Sequence, residues 1–125
     1  MIEPHDLGKR GEDLAVEYLI SKGYQILERN WHSGHKEIDI IALQDTTLAI
    51  IEVKTRKSDD YGEPDISVGA TKQQMLIWAA DAYVRYKQLE VEVRFDIISI
   101  IFTETEQHLE HIEDAFVVTP QSSRR

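Results

Sequence analysis

The chain contains no cysteine, which excludes a disulfide framework, thiolate metal sites and thiol chemistry together. It has no apolar run near the roughly 18 residues that a membrane helix requires. Glu3, His5 and Asp6 stand where a signal peptide would need an apolar stretch. A cytoplasmic protein that meets no membrane is therefore the expectation. Basic residues are also scarce, 14 against 23 acidic for a net charge of -9, which argues against generic adhesion to nucleic acid or anionic lipid. The shortage is uneven: residues 88–125 hold 3 basic and 8 acidic side chains, so a basic surface elsewhere stays open. Repeats, linkers and low-complexity segments are absent as well.

What is present suits one domain. The 125 residues, 42% hydrophobic, can hide roughly two-thirds of their extended surface around a single core. That domain spans residues 1–125, with a core of about 8–118 and a frayed tail from Pro120. Asp6 can cap a helix from Leu7 to Lys22, on which Gly11, Leu14, Ala15, Tyr18 and Leu19 form one stripe. Gly23 ends it. Tyr24–Trp31, Lys36–Leu43 and Leu48–Arg56 read as three strands, with a turn at His32–His35 and a loop at Gln44–Thr47. Lys57–Gly69, holding Gly62 and Pro64, reads as an irregular loop. A second helix over Thr71–Lys87 turns Met75, Leu76, Ala79, Ala82, Tyr83 and Tyr86 to one side. Val91–Phe102 is a fourth strand, and His108–Val118 suits a short edge strand plus a turn of helix. The order α-β-β-β-α-β predicts an α/β domain, a small mixed sheet with helices packed on it.

The charges inside the second and third strands carry the functional argument. Side chains alternate faces along a strand, so Glu37, Asp39 and Ile41 share one face, and Ile38, Ile40 and Ala42 the other. Leu48, Ile50, Glu52 and Lys54 likewise share a face. Pairing Leu43 with Leu48 sets Asp39 opposite Glu52 and Glu37 opposite Lys54, and a slip of two residues keeps all four on one face. Opposed carboxylates repel unless a positive charge sits between them. Oxygen ligands of this kind suit Mg²⁺ or Mn²⁺, and a lysine beside them can orient water or stabilise phosphate charge. The competing reading is a solvent-facing set, with Glu37–Lys54 an ordinary cross-strand pair. Glu12 either reaches over the hairpin from the first helix or lies at its solvent edge. Lys72 falls near the centre of the second helix's apolar stripe, in its first turn, where it either meets an acidic partner or phosphate or snorkels.

Other signals are weaker. His32 with His35, and His108 with His111, lack a third and fourth zinc ligand. Trp31, Trp78, Tyr83 and Tyr86 read as core or interface rather than base-stacking groups. Lys9, Arg10, Arg56, Lys57, Lys72 and Arg124–Arg125 are the available phosphate contacts, and the first two with Arg56 and Lys57 can rim the hairpin site. The apolar faces of Val91–Phe102 and of Phe116–Val118 are candidate dimer surfaces.

Gly11-Glu12, EIDII at Glu37–Ile41 and IEVKTR at Ile51–Arg56 resemble the PD-(D/E)XK nuclease superfamily. More narrowly, residues 8 to 102 resemble the small bacterial YraN family (UPF0102), endonuclease-like proteins related to archaeal Holliday junction resolvases. GKRGEDLAVEYLISKGYQILERNW at Gly8–Trp31, the Gly62–Pro64 loop, Lys72 and RFDIISI at Arg94–Ile100 support it. The resemblance implies a three-layer-like, restriction-endonuclease-like core and Mg²⁺- or Mn²⁺-dependent hydrolysis of phosphodiester bonds in DNA, possible substrates including branched DNA and RNA remaining open. By position, Asp39 and Glu52 match the metal-binding acids, Val53 the residue whose backbone carbonyl completes the metal shell, Lys54 the motif's lysine and Glu12 the helix glutamate of resolvase-like members. Ile38 stands where the motif's name has proline, as is usual in the resolvase-like branch, and Lys36 stands where relatives often carry glycine.

Three functions remain in view. The first is a structure-selective endonuclease acting as a homodimer on a symmetric junction. The second is a nucleic-acid-binding module that keeps the fold without cutting, and the third is an interaction subunit with an acidic surface. Asp39, Glu52 and Lys54 together favour the first; the net charge of -9 favours the others.

Overall fold

The computed structural model describes residues 4–58 and 66–116. Its elements are α1 (Pro4–Ser21), β1 (Gln25–Ser33), β2 (Lys36–Gln44), β3 (Thr47–Lys57), α2 (Ala70–Lys87), β4 (Glu92–Phe102) and β5 (Gln107–Phe116). The five strands lie in chain order, β1-β2-β3-β4-β5. Every neighbouring pair is antiparallel except β3–β4, which is parallel. A parallel step needs a crossover, and α2 occupies that connection. The α/β class and mixed sheet expected from the sequence are present, with β5 extending the sheet by a full strand.

The central strands read as near-continuous apolar runs because both faces are covered. On one side Ala15 and Leu19 of α1 pack on Ile40, Ala42, Ala49, Ile51, Ile98 and Ile100. On the other, Leu76, Ala79 and Tyr83 of α2 pack on Ile38, Ile41, Leu48, Ile50 and Phe95. The sheet is thus the middle of three layers. Each fully buried aliphatic side chain in it contributes about 1.5–3 kcal/mol. Alanines on both helix faces let the helices sit close. Gly11 goes further: a Cβ there would lie 1.9 Å from Thr55 Cγ2 and 3.2 Å from Thr55 Cβ. At this point α1 touches β3 with no side chain of its own between them.

Gly23, at φ +92°, ends α1 as expected; its amide bonds to the Ile20 carbonyl and that of Tyr24 to the Leu19 carbonyl.

Several expectations need correction. α1 starts at Pro4 rather than after Asp6, consistent with the preference for proline in a helix's first turn. Residues 107–116 form one strand paired along β4, with no helical turn. His108 and His111 sit three apart on a regular stretch of this strand, opposite Ile101 and Ile98, and so point to opposite faces; a bulge follows near Asp114, whose φ is +55°. β4 is paired on both edges and buried through its middle, so Val91–Phe102 is no dimer surface. Tyr86 is 75% exposed near the end of α2, not part of its packed stripe. The irregular segment begins only at Ser58, because β3 runs on to Lys57 beside Phe102. Gly62, Pro64, Val117, Val118, Arg124 and Arg125 lie outside the described residues. Among the described residues no helix is long and apolar enough to cross a membrane.

Candidate functional site

The β2–β3 hairpin has the register read from its turn, with Leu43 opposite Leu48 and the ladder running on to Ile40 opposite Ile51. There it stops. The pairs Asp39–Glu52 and Glu37–Lys54 expected to follow are not rungs of the ladder. Side-chain alternation also breaks at this point, since Ile38 packs under α2 while Ile40 packs under α1. The expectation that Ile38 and Ile40 share a face fails because regular pairing, which enforces alternation, has ended. On β1, Asn30 has a φ of +51° in the same neighbourhood, between Arg29 opposite Ile40 and Trp31 opposite Ile38.

Asp39 occupies the opening. Its Oδ2 accepts a hydrogen bond from the Val53 amide at 2.9 Å, so a side chain takes up a backbone donor beyond the ladder. Burial pushes the Asp39 carboxyl up to about 6; the Val53 amide opposes that shift, and the charges of Glu52, Glu12 and Glu37 add to it. Three acids therefore act electrostatically on one half-buried carboxylate. That arrangement costs free energy at neutral pH and is relieved by a cation.

Each neighbour is held by a partner of its own. Glu52 pairs with Lys72 Nζ at 3.2 Å, which brings the first turn of α2 to the end of the ladder. Glu12, on α1, accepts from Asn30 Nδ2 at 2.9 Å and faces Arg29 Nη2 at 3.4 Å. Arg29 also donates to Asp13 at 2.7 Å. Glu37 lies 3.5 Å from His32 Nε2. Lys54 Nζ donates to the Ser67 carbonyl at 2.6 Å, tying β3 to the segment before α2. The close approach at Gly11 sets how far Glu12, the next residue, reaches over the sheet.

The predicted rim divides. Lys72 joins the cluster through Glu52. Lys9 pairs instead with Asp13 at 3.9 Å. Arg10 stacks over Phe102, 5.1 Å from the ring centroid. Arg10 and Lys57 line a cleft of about 820 Å³ with Phe102 and the β4–β5 turn. Arg56 lies on β3 near its end, half-buried. Among the described residues, no three His, Asp or Glu side chains form a ready-made metal-binding set. The histidine pairs do not gather either: His111 is nearly buried against Asp96, whereas His108 is exposed beside Glu106.

Sequence reasoning missed Arg29 and Asn30 as the holders of Glu12. Asn30 works from a left-handed backbone position that alternation conceals. Lys72 did leave a signal, as a cation set into an apolar stripe.

A second polar network lies beneath the other half of α1. Arg94 grips Asp96 with Nε at 2.9 Å and Nη2 at 2.8 Å. His111 Nε2 lies 2.8 Å from Asp96 Oδ2, and its Nδ1 lies 3.1 Å from the Tyr18 hydroxyl. The Asp114 amide at the bulge donates to Asp96 Oδ1 at 3.1 Å, and Arg94 also donates to the Tyr24 hydroxyl.

Comparison with known proteins gives one clear result. The model of the Uncharacterised protein family UPF0102 matches residues 11–100. The chain is 51% identical over 116 residues to the UPF0102 protein FP2501 of Flavobacterium psychrophilum, covering 93% of this chain and 98% of that one. It is 49% identical over 111 residues to the UPF0102 protein THEYE_A1950 of Thermodesulfovibrio yellowstonii, covering 89% and 96%. Among solved structures, the Holliday junction resolvase Hjc of Archaeoglobus fulgidus matches at a TM-score of 0.49 and 20% identity, over 83% of this chain and 73% of its own. That likeness is too loose to fix an activity.

Proposed function

Because the chain belongs to the UPF0102 family, whose description assigns no activity, we propose from its own residues that it is a metal-dependent nuclease. It hydrolyses phosphodiester bonds in DNA, acting as a homodimer on branched or otherwise structured substrates. The observation that carries this reading is Asp39, a half-buried carboxylate raised to about 6 by burial and by Glu52, Glu12 and Glu37.

The donor chemistry fits Mg²⁺ or Mn²⁺. Asp39, Glu52 and the Val53 carbonyl would hold the ion, with Glu12 on it or on one of its waters. Two carboxylates are what Mg²⁺ ordinarily takes from protein, with waters and substrate phosphate filling the remaining positions. When bound, the ion polarises the scissile phosphate and lowers the pKa of a coordinated water. Glu52 must exchange its contact with Lys72 for the ion. Lys54, two residues along β3, positions the attacking water or offsets the charge that builds on phosphate. Lys72, once released, is placed to meet a phosphate oxygen.

Calorimetric titration of Mn²⁺ into the wild type and an Asp39→Asn/Glu52→Gln variant tests the site without a guessed substrate. Micromolar-range binding lost in the variant supports it. Cleavage of branched DNA with Mg²⁺, absent in the same variant, supports the activity, and sedimentation checks the dimer. The alternative, a binding module that does not cut, is favoured by the net charge of -9. It gains ground if Mn²⁺ fails to bind at millimolar concentration both with and without DNA.

A further inference from the structure

Beside the Asp39 cluster lies a cleft of about 570 Å³, between the β1–β2 turn and the first three turns of α2. Met75 and Trp78 line it from the helix, and His35 and Lys36 from the turn. Gly34, at φ +64°, makes that turn tight enough to present both residues together. Trp78 is 39% exposed, and Lys36 Nζ stands 5.8 Å from its ring centroid. Trp31, by contrast, packs edge-on to Tyr83 at 5.2 Å within the core under α2. The two tryptophans expected to share a structural role are therefore divided, one packed inside and one at a cationic surface.

The cleft adjoins the candidate site on two elements. Lys36 precedes Glu37, whose charge acts on Asp39, and lies about 10 Å from Asp39 along an extended strand. Thr71 lines the cleft and precedes Lys72, the partner of Glu52. A planar aromatic face, a polarisable thioether and a lysine suit a flat, electron-rich ring carrying an anionic substituent.

We infer that this cleft binds an unpaired nucleotide, its base stacked on Trp78 and its phosphate on Lys36, next to the bond the Asp39 cluster cleaves. The inference rests on the nuclease reading and deepens it: the substrate class becomes nucleic acid with a single-stranded element beside the cut. Lys36 covers the ring in the free protein and moves to the phosphate when the base enters.

The test uses a Trp31→Phe protein, in which Trp78 is the remaining tryptophan, with Ca²⁺ in place of Mg²⁺. It is titrated with a DNA duplex, with the same duplex bearing an unpaired branch, and with the RNA counterpart of that branched form. Anisotropy of the labelled nucleic acid reports binding, and tryptophan fluorescence reports the cleft. Quenching by the branched forms and not by the duplex is expected, and the DNA and RNA arms identify the source of the nucleotide. In the wild-type background, Trp78→Ala should weaken branched binding about 5- to 100-fold, as loss of one base–aromatic stack does, and Trp78→Phe by less. Lys36→Gln should lower the salt slope by about one. Branched binding without quenching, or unchanged in Trp78→Ala, overturns the cleft assignment and leaves the nuclease reading intact. No binding of any nucleic acid overturns both.

Discussion

Asp39 and Asp96 stand on strands of one sheet and meet opposite surroundings. Asp96, 2% exposed, is the more deeply buried. Burial alone would push it up, yet His111, Arg94 and the Asp114 amide outweigh that and leave its carboxyl below the usual value. Asp39 receives one amide and faces three acids, and is raised. Asp96 is satisfied by the chain itself, and its network joins β4, β5, α1 and, through Tyr24, the connection between α1 and β1. Asp39 is left short of positive charge, so its charged form is disfavoured. A buried acid with complete partners argues for architecture; one lacking them argues for a ligand.

Breaking the satisfied side should have the largest effect. Asp96→Ala strands Arg94 and His111, and should cost about 3–5 kcal/mol in urea unfolding. Because the folded carboxyl is lowered, its contribution is present above the unfolded value of 3.8 and is lost as pH falls through the lower folded value. Next, Gly11→Ala forces a methyl into Thr55 and should cost about 1–3 kcal/mol. Thr55→Ser removes the methyl at issue, so the double variant should recover most of the loss, as a double-mutant cycle would show.

Asp39→Asn sharpens the contrast by reversing its sign. The folded carboxyl is raised from 3.8 to about 6, so wild-type stability from this group is full below the unfolded value and falls as pH rises through about 6. An amide oxygen can still accept from Val53 and carries no charge. The variant should therefore be more stable than wild type at pH 8 by about 1–2 kcal/mol, a shift of this size discounted for partial exposure. The gain should disappear near pH 4, and urea melts at the two pH values would check both points. The smallest effect belongs to Lys72→Gln, which removes the cation competing for Glu52. Mn²⁺ affinity should rise roughly two- to fivefold by calorimetry, in line with a surface ion pair.

Much of this contrast was legible in the residues, and its limits have a physical cause. The Leu43–Leu48 register followed from turn position and alternation, and it placed Asp39 and Glu52 in one neighbourhood. Alternation holds only while pairing does, so it could not show that Ile38 and Ile40 part company at the end of the ladder. Nor could it show that Asn30 turns back toward Glu12. The Asp96 network depends on β5 docking beside β4. His111, read as half of a weak zinc pair, gained its role from Asp96 on the neighbouring strand, a pairing that a part-strand, part-helix reading of residues 108–118 conceals.

The agreement between chain order and sheet order also bears on how the molecule assembles. Strands β1, β2 and β3 form successive hairpins with short loop closures, which are entropically cheap. β4 and β5 form a further hairpin, closed by the turn after Phe102. The parallel β3–β4 contact must await the crossover through α2. Low sequence separation favours early contacts, so Asp39 should meet Glu52, and Asp96 should meet His111, before the two hairpin units join. The acids that repel and the network that satisfies Asp96 are then each assembled by local chain geometry, and the β3–β4 ladder that unites them closes last. A refolding experiment with pulsed hydrogen exchange would show protection within the β2–β3 and β4–β5 hairpins ahead of the β3–β4 ladder.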